Sequence, residues 1–222
     1  MKLLVTRPEP GASATTAKLV AMGHEAITLP CLTILPVKAR LSARPAALVI
    51  TSGQAVPALP TRLHNVPVFC VGDATAAKLR MAGFTRVESA QGDAEALARL
   101  VIARNVAGPH LLATGARHGQ NLAKSLRLAG LTVIRRSVYN VTQLQTMPEH
   151  VRAMLEAGYF DGVLFYSTET ARTFVGLTPP QTHRLQAYVL SENIKKGLQG
   201  LPWNAIHIAC APTEADLMAL LA

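Results

Sequence analysis

Threonines, serines and glycines follow most of the apolar, strand-like stretches of this sequence. The residues in these positions are Thr6, Arg7, Thr51, Ser52, Gly72, Thr75, Thr114, Gly115, Ser167, Thr168, Ser191 and Thr213. Hydroxyls and the N–H groups at helix N-termini bind anions well, because the free donors and the helix dipole both favour negative charge. We therefore expect this set to form a binding site for an anionic ligand.

Each of these positions also has a purely structural explanation. Serine and threonine before a helix are ordinary N-caps, and any α/β protein contains many of them. Asp73 and Asp93 begin predicted helices, where a carboxylate compensates the helix dipole. The anion-binding hypothesis depends on the whole set falling at one edge of the predicted sheets.

The motifs of several familiar enzyme classes are missing. There is no GxSxG nucleophile elbow, no GxxxxGK[ST] phosphate loop and no GxGxxG fingerprint after a strand. Cys31, Cys70 and Cys210 lie far apart, and the seven histidines are scattered without a metal-ligand pairing. We expect buried, reduced cysteines and no metal site. Any reaction must then depend mainly on positioning and hydrogen bonding.

The elements that carry these residues repeat one pattern, a short apolar strand followed by a turn and an alanine-rich helix. LLVT precedes RPEPGASATTAKLVAMG, ALVITS precedes GQAVPALPTRL, and VFCVG precedes DATAAKLRMAG; HLLATG, VLFYS, YVLS and IHIACA begin four more such units. Strands that alternate with helices indicate an α/β fold with mostly parallel sheets. The glycines of AMG, MAG and LAG are predicted to end their helices, because glycine tolerates positive φ.

Two extended segments interrupt this pattern and indicate that one domain is inserted into another. We predict an outer α/β domain at 1–36 and 143–222, an inserted α/β domain at 46–139, and extended linkers at 37–45 and 140–142. Ligands of open parallel sheets bind beyond the carboxyl ends of the strands. Two such edges facing each other across a hinge would form a cleft for a large, multiply anionic ligand.

The formal net charge is +9, and the sequence contains no basic block of the kind that binds nucleic acid. Positive charge spread over a globular protein can attract a polyanionic small molecule, although an ordinary solvated basic surface is the alternative. No apolar run approaches a membrane span, and MKLLVTRPEP lacks the apolar region of a secretory signal. We expect a cytoplasmic monomer that binds neither membrane nor nucleic acid.

Six segments, in order along nearly the whole chain, resemble the uroporphyrinogen-III synthase family. They are VTRPEPGASATTAKLVAMGHEAITLPCLTILP, ALVITSGQAV, VFCVGDATAAKLRMAGF, SVYNV, VLFYSTETARTF and APTEADL. The resemblance implies two α/β domains joined by a pair of extended strands, with a cofactor-free active site between them. It implies a lyase of tetrapyrrole and heme biosynthesis that closes hydroxymethylbilane, a linear tetrapyrrole with many carboxylates, with inversion of ring D and loss of water.

The resemblance also assigns roles to individual residues. Tyr139 matches the family tyrosine that assists departure of the substrate hydroxyl, and a phenol can donate that hydrogen bond at neutral pH. Thr75, Thr213 and Ser167 match hydroxyl residues of the family cleft. Arg7 is the expected carboxylate anchor, since its guanidinium can bind a carboxylate with two parallel hydrogen bonds. A transient contact with the preceding pathway enzyme is a further expectation.

Two departures from the family pattern bear on the site. Glu214 stands where the family has a second threonine, and it places negative charge near an anionic ligand. The LATGARHG segment lacks the arginine that often follows this strand, and Arg117 is the candidate substitute. The competing hypotheses are a non-catalytic two-domain binding module for a small polyanion, a nucleotide-dependent enzyme and a nucleic-acid binder.

Overall fold

The computed structural model describes residues 1–41 and 44–221. Its eleven strands, within those residues, are β1 (Lys2–Val5), β2 (Glu25–Thr28), β3 (Leu32–Pro36), β4 (Ala47–Ile50), β5 (Val68–Cys70), β6 (Val87–Ser89), β7 (His110–Gly115), β8 (Val133–Gln143), β9 (Gly162–Phe165), β10 (Gln186–Val189) and β11 (Ala205–Ile208). The α-helices are α1 (Gly11–Ala21), α2 (Asp73–Met81), α3 (Ala94–Arg104), α4 (Gln120–Leu128), α5 (Glu149–Glu156), α6 (Thr168–Gly176), α7 (Glu192–Lys196) and α8 (Glu214–Ala219).

The chain forms two compact units. The outer unit comprises Met1–Thr33 and Thr142–Ala222, and the inserted unit is the continuous stretch Ile34–Val141. The outer sheet has the strand order β11-β10-β9-β1-β2, and its neighbouring strands are parallel. The inserted sheet has the order β3-β8-β7-β4-β5-β6, in which the pairs from β8 to β6 are parallel. The predicted α/β fold with parallel sheets is confirmed.

Strand β3 departs from the parallel arrangement. The Val37 amide donates to the Val138 carbonyl at 2.9 Å, and the Leu144 amide donates to the Cys31 carbonyl at 2.8 Å. Because the paired residue numbers run in opposite directions, β3 is antiparallel to β8. The segment predicted as the first linker, 37–45, thus begins in a strand pair, and its residues 42 and 43 lie outside the described part of the chain. The domain boundaries and both linkers stay predictions.

Each sheet is buried on both faces, which explains its continuous apolar strands. In β1, Leu4 packs into one core cluster while Leu3 and Val5 pack into another. In β4, Leu48 and Val49 likewise face different clusters. Successive side chains of a strand point to opposite faces, so a strand covered by helices on both sides must be apolar at every position. This packing holds the loops at the strand ends in place.

The local predictions hold for the helix ends and fail for one helix. Gly23, Gly83 and Gly130, the glycines of AMG, MAG and LAG, have φ of 85°, 94° and 86°. The helix predicted after ALVITS was wrong, because two 3₁₀ helices, Gly53–Ala58 and Thr61–Leu63, occupy that segment. Pro57 lies inside the first of them and Pro60 precedes the second. Proline removes a backbone donor and crowds the preceding turn, so an α-helix cannot continue there.

Two of the three cysteines are buried, as expected, and the third is not. Burial raises the pKa of the Cys31 thiol to about 12 and, against the opposing charge of Arg80, that of Cys70 to about 11. Cys210 is exposed, so the expectation of three buried thiols was wrong for this residue. Cys210 follows β11, at the edge of the outer sheet, where the apolar pattern of the strand has ended.

His110, the first residue of β7, is fully buried, and neither ring nitrogen has a partner among the described residues. Burial lowers the pKa of His110 below its ordinary value. The unfolded chain therefore binds a proton more readily than the folded chain as the pH falls below about 6.5. We predict that urea unfolding shows a loss of stability between about pH 7.5 and pH 5.5 that His110→Leu reduces.

The control for this prediction is His150→Leu, because His150 is exposed on α5 and belongs to the other unit. That variant should keep the pH dependence of the wild-type protein. A His110→Leu protein whose stability falls with pH as steeply as the wild type would show that other groups carry the effect.

Candidate functional site

Arg7 lies at the carboxyl edge of the outer sheet, two residues after the end of β1, and is half-buried. Its guanidinium lies over the Tyr166 ring, with 4.0 Å between the guanidinium carbon and the ring centroid. Its Nη1 donates to Thr15 Oγ1 at 3.0 Å and to Glu214 Oε1 at 2.9 Å. Stacking and two hydrogen bonds hold a long side chain in one orientation, as an anchor for a carboxylate requires.

Glu214 is bonded through both of its carboxylate oxygens. Oε1 accepts from Arg7, from the Thr15 hydroxyl at 3.0 Å and from the Tyr166 hydroxyl at 3.4 Å, while Oε2 accepts from Lys18. We call Arg7, Thr15, Lys18 and Tyr166 the donor cluster. Its members come from the β1–α1 turn, α1 and the end of β9, and they meet at the first residue of α8.

The charges of this cluster fix the ionisation of Glu214. Burial by itself would raise the pKa of Glu214, but hydrogen bonds from Lys18 and Thr15 and the charges of Lys18 and Arg7 hold it below the usual range. Burial raises the pKa of the Tyr166 phenol, which therefore stays neutral and able to donate. Glu214 is thus a carboxylate at neutral pH, bound by two cations and two hydroxyls.

Three other predicted residues of the outer unit, Thr6, Ser167 and Thr168, have hydrogen-bond partners within that unit. Thr6 is fully buried and its hydroxyl donates to the Leu164 carbonyl at 2.6 Å. Its side chain is therefore not an open donor, and substrate binding by Thr6 stays a prediction. The Ser167 hydroxyl accepts from the Thr170 amide and caps α6, and the Thr168 hydroxyl donates to the Asn193 carbonyl at 3.2 Å.

Thr213 and Ser191 are the residues before α8 and α7. The exposed Thr213 accepts from the Asp216 amide at 3.2 Å, and its hydroxyl also contacts the Asp216 carboxylate. Ser191 is half-buried and its side chain makes no capping hydrogen bond. Capping explains Thr213, whereas Ser191 has a hydroxyl that its own helix does not use.

In the inserted unit, hydroxyls again meet at the carboxyl edge of the sheet. The hydroxyl oxygens of Thr51 and Thr114, which lie at the ends of adjacent strands β4 and β7, are 3.3 Å apart. Thr114 is fully buried. Its hydroxyl therefore contacts Thr51 and is not open to a ligand, and substrate binding by Thr114 stays a prediction. Ser52 accepts from the Gln54 amide and caps the first 3₁₀ helix. Of these three residues, the half-buried Thr51 is the best placed to reach a ligand.

Gly72 and Thr75 lie at the start of α2. Gly72 is the N-cap residue, half-buried and extended, and its carbonyl accepts from the Thr75 amide at 3.0 Å. Thr75 is buried on the first turn of the helix. A nine-residue helix that follows a parallel strand directs its N-terminal N–H groups to the carboxyl edge of the sheet, as the sequence predicted.

Tyr139 lies in β8 beside Gly115. Gly115 pairs with Tyr139 across a bulge, because Ser137 pairs with the preceding residue of β7 and Val138 is skipped. A Cβ atom on Gly115 would lie 2.8 Å from the Tyr139 ring, so only glycine permits this contact. The ring is buried, and the Tyr139 hydroxyl makes no hydrogen bond within residues 1–41 and 44–221. A phenol that is fixed by its ring and left without a protein partner can donate to a ligand.

Arg135 was not identified from the sequence, although it organises the loop after β7. Its guanidinium donates to the carbonyls of Gly115, Ala116 and His118, at 3.4, 2.5 and 2.9 Å respectively. Arg117, the candidate substitute for the family arginine, is exposed in this loop. The sequence did place Arg135 close to Tyr139, four residues before it on the same strand, and this position could have identified it.

Positive charge is concentrated in one unit. Residues 34–141 contain 14 lysines and arginines but four aspartates and glutamates, a net charge of +10, whereas the outer unit contains eight and nine, a net charge of −1. The sequence-based description of charge spread over the whole chain was therefore incomplete. Cations occur throughout, but the scarcity of acids in the inserted unit makes that unit strongly basic.

Comparisons with known proteins identify the family. The family model "Uroporphyrinogen-III synthase HemD" matches residues 13–219. The chain belongs to the uroporphyrinogen-III synthase family. The model spans the donor cluster from Thr15 onward, Tyr139 and Glu214, and the predicted resemblance is confirmed. No curated protein matches the sequence.

Two solved synthases share the fold. The uroporphyrinogen-III synthetase of Helicobacter pylori has a TM-score of 0.68 and 17% identity, with 100% of this chain and 98% of that chain covered. A mutant uroporphyrinogen III synthase from the extremely thermophilic bacterium Thermus thermophilus has a TM-score of 0.58 and 15% identity, with 100% and 97% covered. At this identity the likeness shows the uroporphyrinogen-III synthase fold and does not transfer individual residue roles.

Within residues 1–41 and 44–221, no helix of this uroporphyrinogen-III synthase family member combines the length and the apolar character of a membrane span. In the same residues, no three histidine, cysteine, aspartate or glutamate side chains come together as metal ligands would.

Proposed function

We propose that this chain is a uroporphyrinogen-III synthase, which closes hydroxymethylbilane into the type III macrocycle with inversion of ring D and loss of water. The observation that carries the proposal is the family match over residues 13–219. The geometry agrees with it, since the outer unit holds a carboxylate in a donor cluster and the inserted unit presents a fixed phenol. The reaction needs no electron or group carrier, and we propose that no cofactor takes part.

We propose that Tyr139 assists departure of the substrate hydroxyl. Its phenol donates a hydrogen bond to that oxygen as the carbon–oxygen bond breaks, which stabilises the developing negative charge on the oxygen. The phenol proton leaves with the hydroxyl as water, and the cationic azafulvene is attacked by the substituted carbon of ring D through a spiro intermediate. The proton lost when that intermediate rearranges to the macrocycle restores the phenol. The protein then acts by holding the bilane in a near-attack geometry.

The remaining polar groups are proposed as substrate contacts, and most of them are hydroxyl or amide donors that carry no charge. Arg7 binds a substrate carboxylate, and the half-buried Thr51, Gly72 and Ser191 supply hydroxyl or amide donors. Thr75 and Thr213 are also proposed as substrate contacts: Thr75 is buried on the first turn of α2, and the exposed Thr213 hydroxyl would contact the substrate in addition to capping α8.

The direct test is cyclisation of freshly generated hydroxymethylbilane, followed by oxidation and separation of the type I and type III isomers. Type III product in proportion to the protein added supports the synthase. Type I alone, as in the control without protein, would contradict it and leave the non-catalytic polyanion-binding module. That module predicts saturable binding without turnover, and it gives no reason for a Tyr139 hydroxyl that has no partner in the described part of the chain.

The basic inserted unit leads to a prediction about ionic strength. A substrate with many carboxylates is attracted by a net charge of +10, and salt screens this attraction. We expect kcat/KM to fall about tenfold when the salt concentration rises from about 20 to about 300 mM. Steady-state kinetics with hydroxymethylbilane at several salt concentrations would measure the slope.

Matched charge variants locate the source of this salt dependence. Arg99→Gln with Lys124→Gln removes two exposed cations from the inserted unit, and Arg172→Gln with Arg184→Gln removes two from the outer unit. The first pair should lower kcat/KM at low salt and flatten the slope more than the second. Equal effects of the two pairs would contradict capture by the inserted unit.

We further propose that the protein acts as a monomer in the cytoplasm and takes its substrate from the preceding pathway enzyme by transient contact. The monomer is proposed because two small domains need no partner subunit, and the transient contact because the linear substrate is unstable. Sedimentation of the purified protein would test the first, and trapping of bilane by a large excess of inactive synthase would test direct transfer.

A further inference from the structure

The donor cluster has the composition of a carboxylate-binding site, but Glu214 of the same chain already fills it. A guanidinium, an ammonium and two hydroxyls converge on one point at the edge of the outer sheet, and a carboxylate of the same chain already occupies that point. These are the groups that would bind a carboxylate of an external ligand. An external carboxylate could use the same donors only if Glu214 gave them up.

The burial of the pair makes such an exchange feasible. The side chains of Arg7 and Glu214 are 27% and 30% exposed, and that of Lys18 is 55% exposed. Ion pairs with this much exposure contribute little to stability, because water solvates both partners when they separate. The cluster also carries two cations against one carboxylate, so it keeps a net attraction for anions while Glu214 is bound.

The position of Glu214 allows it to move without unfolding the sheet. It is the first residue of α8, a six-residue helix whose buried contacts come from Leu217 and Met218. The N-cap of this helix is Thr213, which bonds to Asp216 and not to Glu214. A rotation of the Glu214 side chain therefore breaks bonds to the donor cluster while the helix keeps its cap and its core contacts.

We propose that Glu214 is an internal carboxylate that occupies the donor cluster in the free protein, and that a carboxylate of the substrate displaces it. Glu214 then sets the affinity of the site: it holds Arg7, Lys18, Thr15 and Tyr166 ready, and it competes with weakly binding carboxylates. The identification of the displacing group as a substrate carboxylate rests on the proposed function. The competition itself depends only on the geometry of the outer unit.

The test uses Glu214→Gln, which keeps the shape of the side chain and removes its charge. A neutral amide competes less well for cations, so this variant should bind benzene-1,2,4,5-tetracarboxylate about fivefold more tightly than the wild type in calorimetry at constant ionic strength. KM for hydroxymethylbilane should fall by a similar factor. Glu156→Gln is the control, because it removes the same charge from an exposed residue at the end of α5, which precedes the amino end of β9.

The outcomes separate this inference from the proposed function. Tighter binding by Glu214→Gln but not by Glu156→Gln supports the competition, even if no type III product forms and the synthase proposal fails. Unchanged or weaker binding of the tetracarboxylate by Glu214→Gln overturns it, and Glu214 is then a fixed brace for Arg7. Equal tightening by both variants also overturns it, because net charge alone would explain the gain. Urea unfolding of each variant confirms that the protein compared is folded.

Discussion

Tyr139→Phe is expected to lower kcat for the type III product about a hundredfold, because general acid assistance contributes at least that much when the donor is positioned. The hydroxyl has no protein partner among the described residues, whereas the ring packs in the core and against Gly115. Removal of the oxygen therefore leaves the packing intact, and the midpoint of urea unfolding should not change. The measurement is single-turnover formation of each isomer from hydroxymethylbilane.

Tyr188→Phe is the matched control for this prediction. Tyr188 is also buried, in β10, but its hydroxyl donates to Gln186 Oε1 at 3.1 Å. We expect this variant to lose stability, since a buried hydrogen bond is removed, and to keep kcat. If Tyr139→Phe formed type III product at the wild-type rate, the phenol would have no part in departure of the substrate hydroxyl.

Arg7→Ala is expected to raise KM for hydroxymethylbilane roughly tenfold to a hundredfold with little change in kcat, since a charge-assisted hydrogen bond to a bound carboxylate is lost. The anchor lies in the outer unit and the phenol in the inserted unit, so a binding defect and a chemical defect are separable. The KM of Arg7→Lys should lie between those of the wild type and Arg7→Ala, because lysine keeps the charge but not the planar pair of donors. Steady-state kinetics of the three proteins would measure this order.

The stability of Arg7→Ala and a matched control variant show whether a rise in KM comes from the loss of the anchor. Lys18 still binds Glu214 in this variant, so the carboxylate keeps one cation and the stability should change little. Arg184→Ala is the control, because Arg184 is exposed just before the amino end of β10. A normal KM for Arg7→Ala, or an equal rise for Arg184→Ala, would contradict the role of Arg7 as an anchor.

Much of the fold could be predicted because its signals are local. An apolar strand buried on both faces, a turn and a helix that ends in glycine lie close together in the chain, and this unit recurs along it. The glycines at 23, 83 and 130 adopt the predicted positive φ for the same reason. The exception is the segment after β4, where the alternation was correct but Pro57 and Pro60 replaced the helix with two 3₁₀ helices.

The positions of the polar residues could be predicted, whereas their roles in binding stay predictions. The edges of the sheets were placed correctly, since the end of each parallel strand fixes which residues follow it. Which hydroxyls are open was not predictable, because Thr6 and Thr114 bond to groups on neighbouring strands. Strand neighbours depend on the order of strands in the sheet, and a single sequence does not state that order.

Tyr139 shows the same division. Its place on an extended strand follows from the pattern of SVYNV, but alternation predicts that Val138 and Tyr139 face opposite sides. The bulge in β8 sets two residues against one, and both side chains enter the same core cluster. The contact with Gly115 that orients the phenol is therefore a product of strand pairing.

The sequence by itself determined the fold class, the family, the basic charge and the edge at which the polar groups gather, because each depends on local pattern or on composition. The tertiary structure decided the partners of those groups. Arg7 and Glu214 are 207 residues apart in the chain and 2.9 Å apart in space. The strand order that brings β1 and the start of α8 to one edge results from packing the whole outer unit, and no local pattern encodes it.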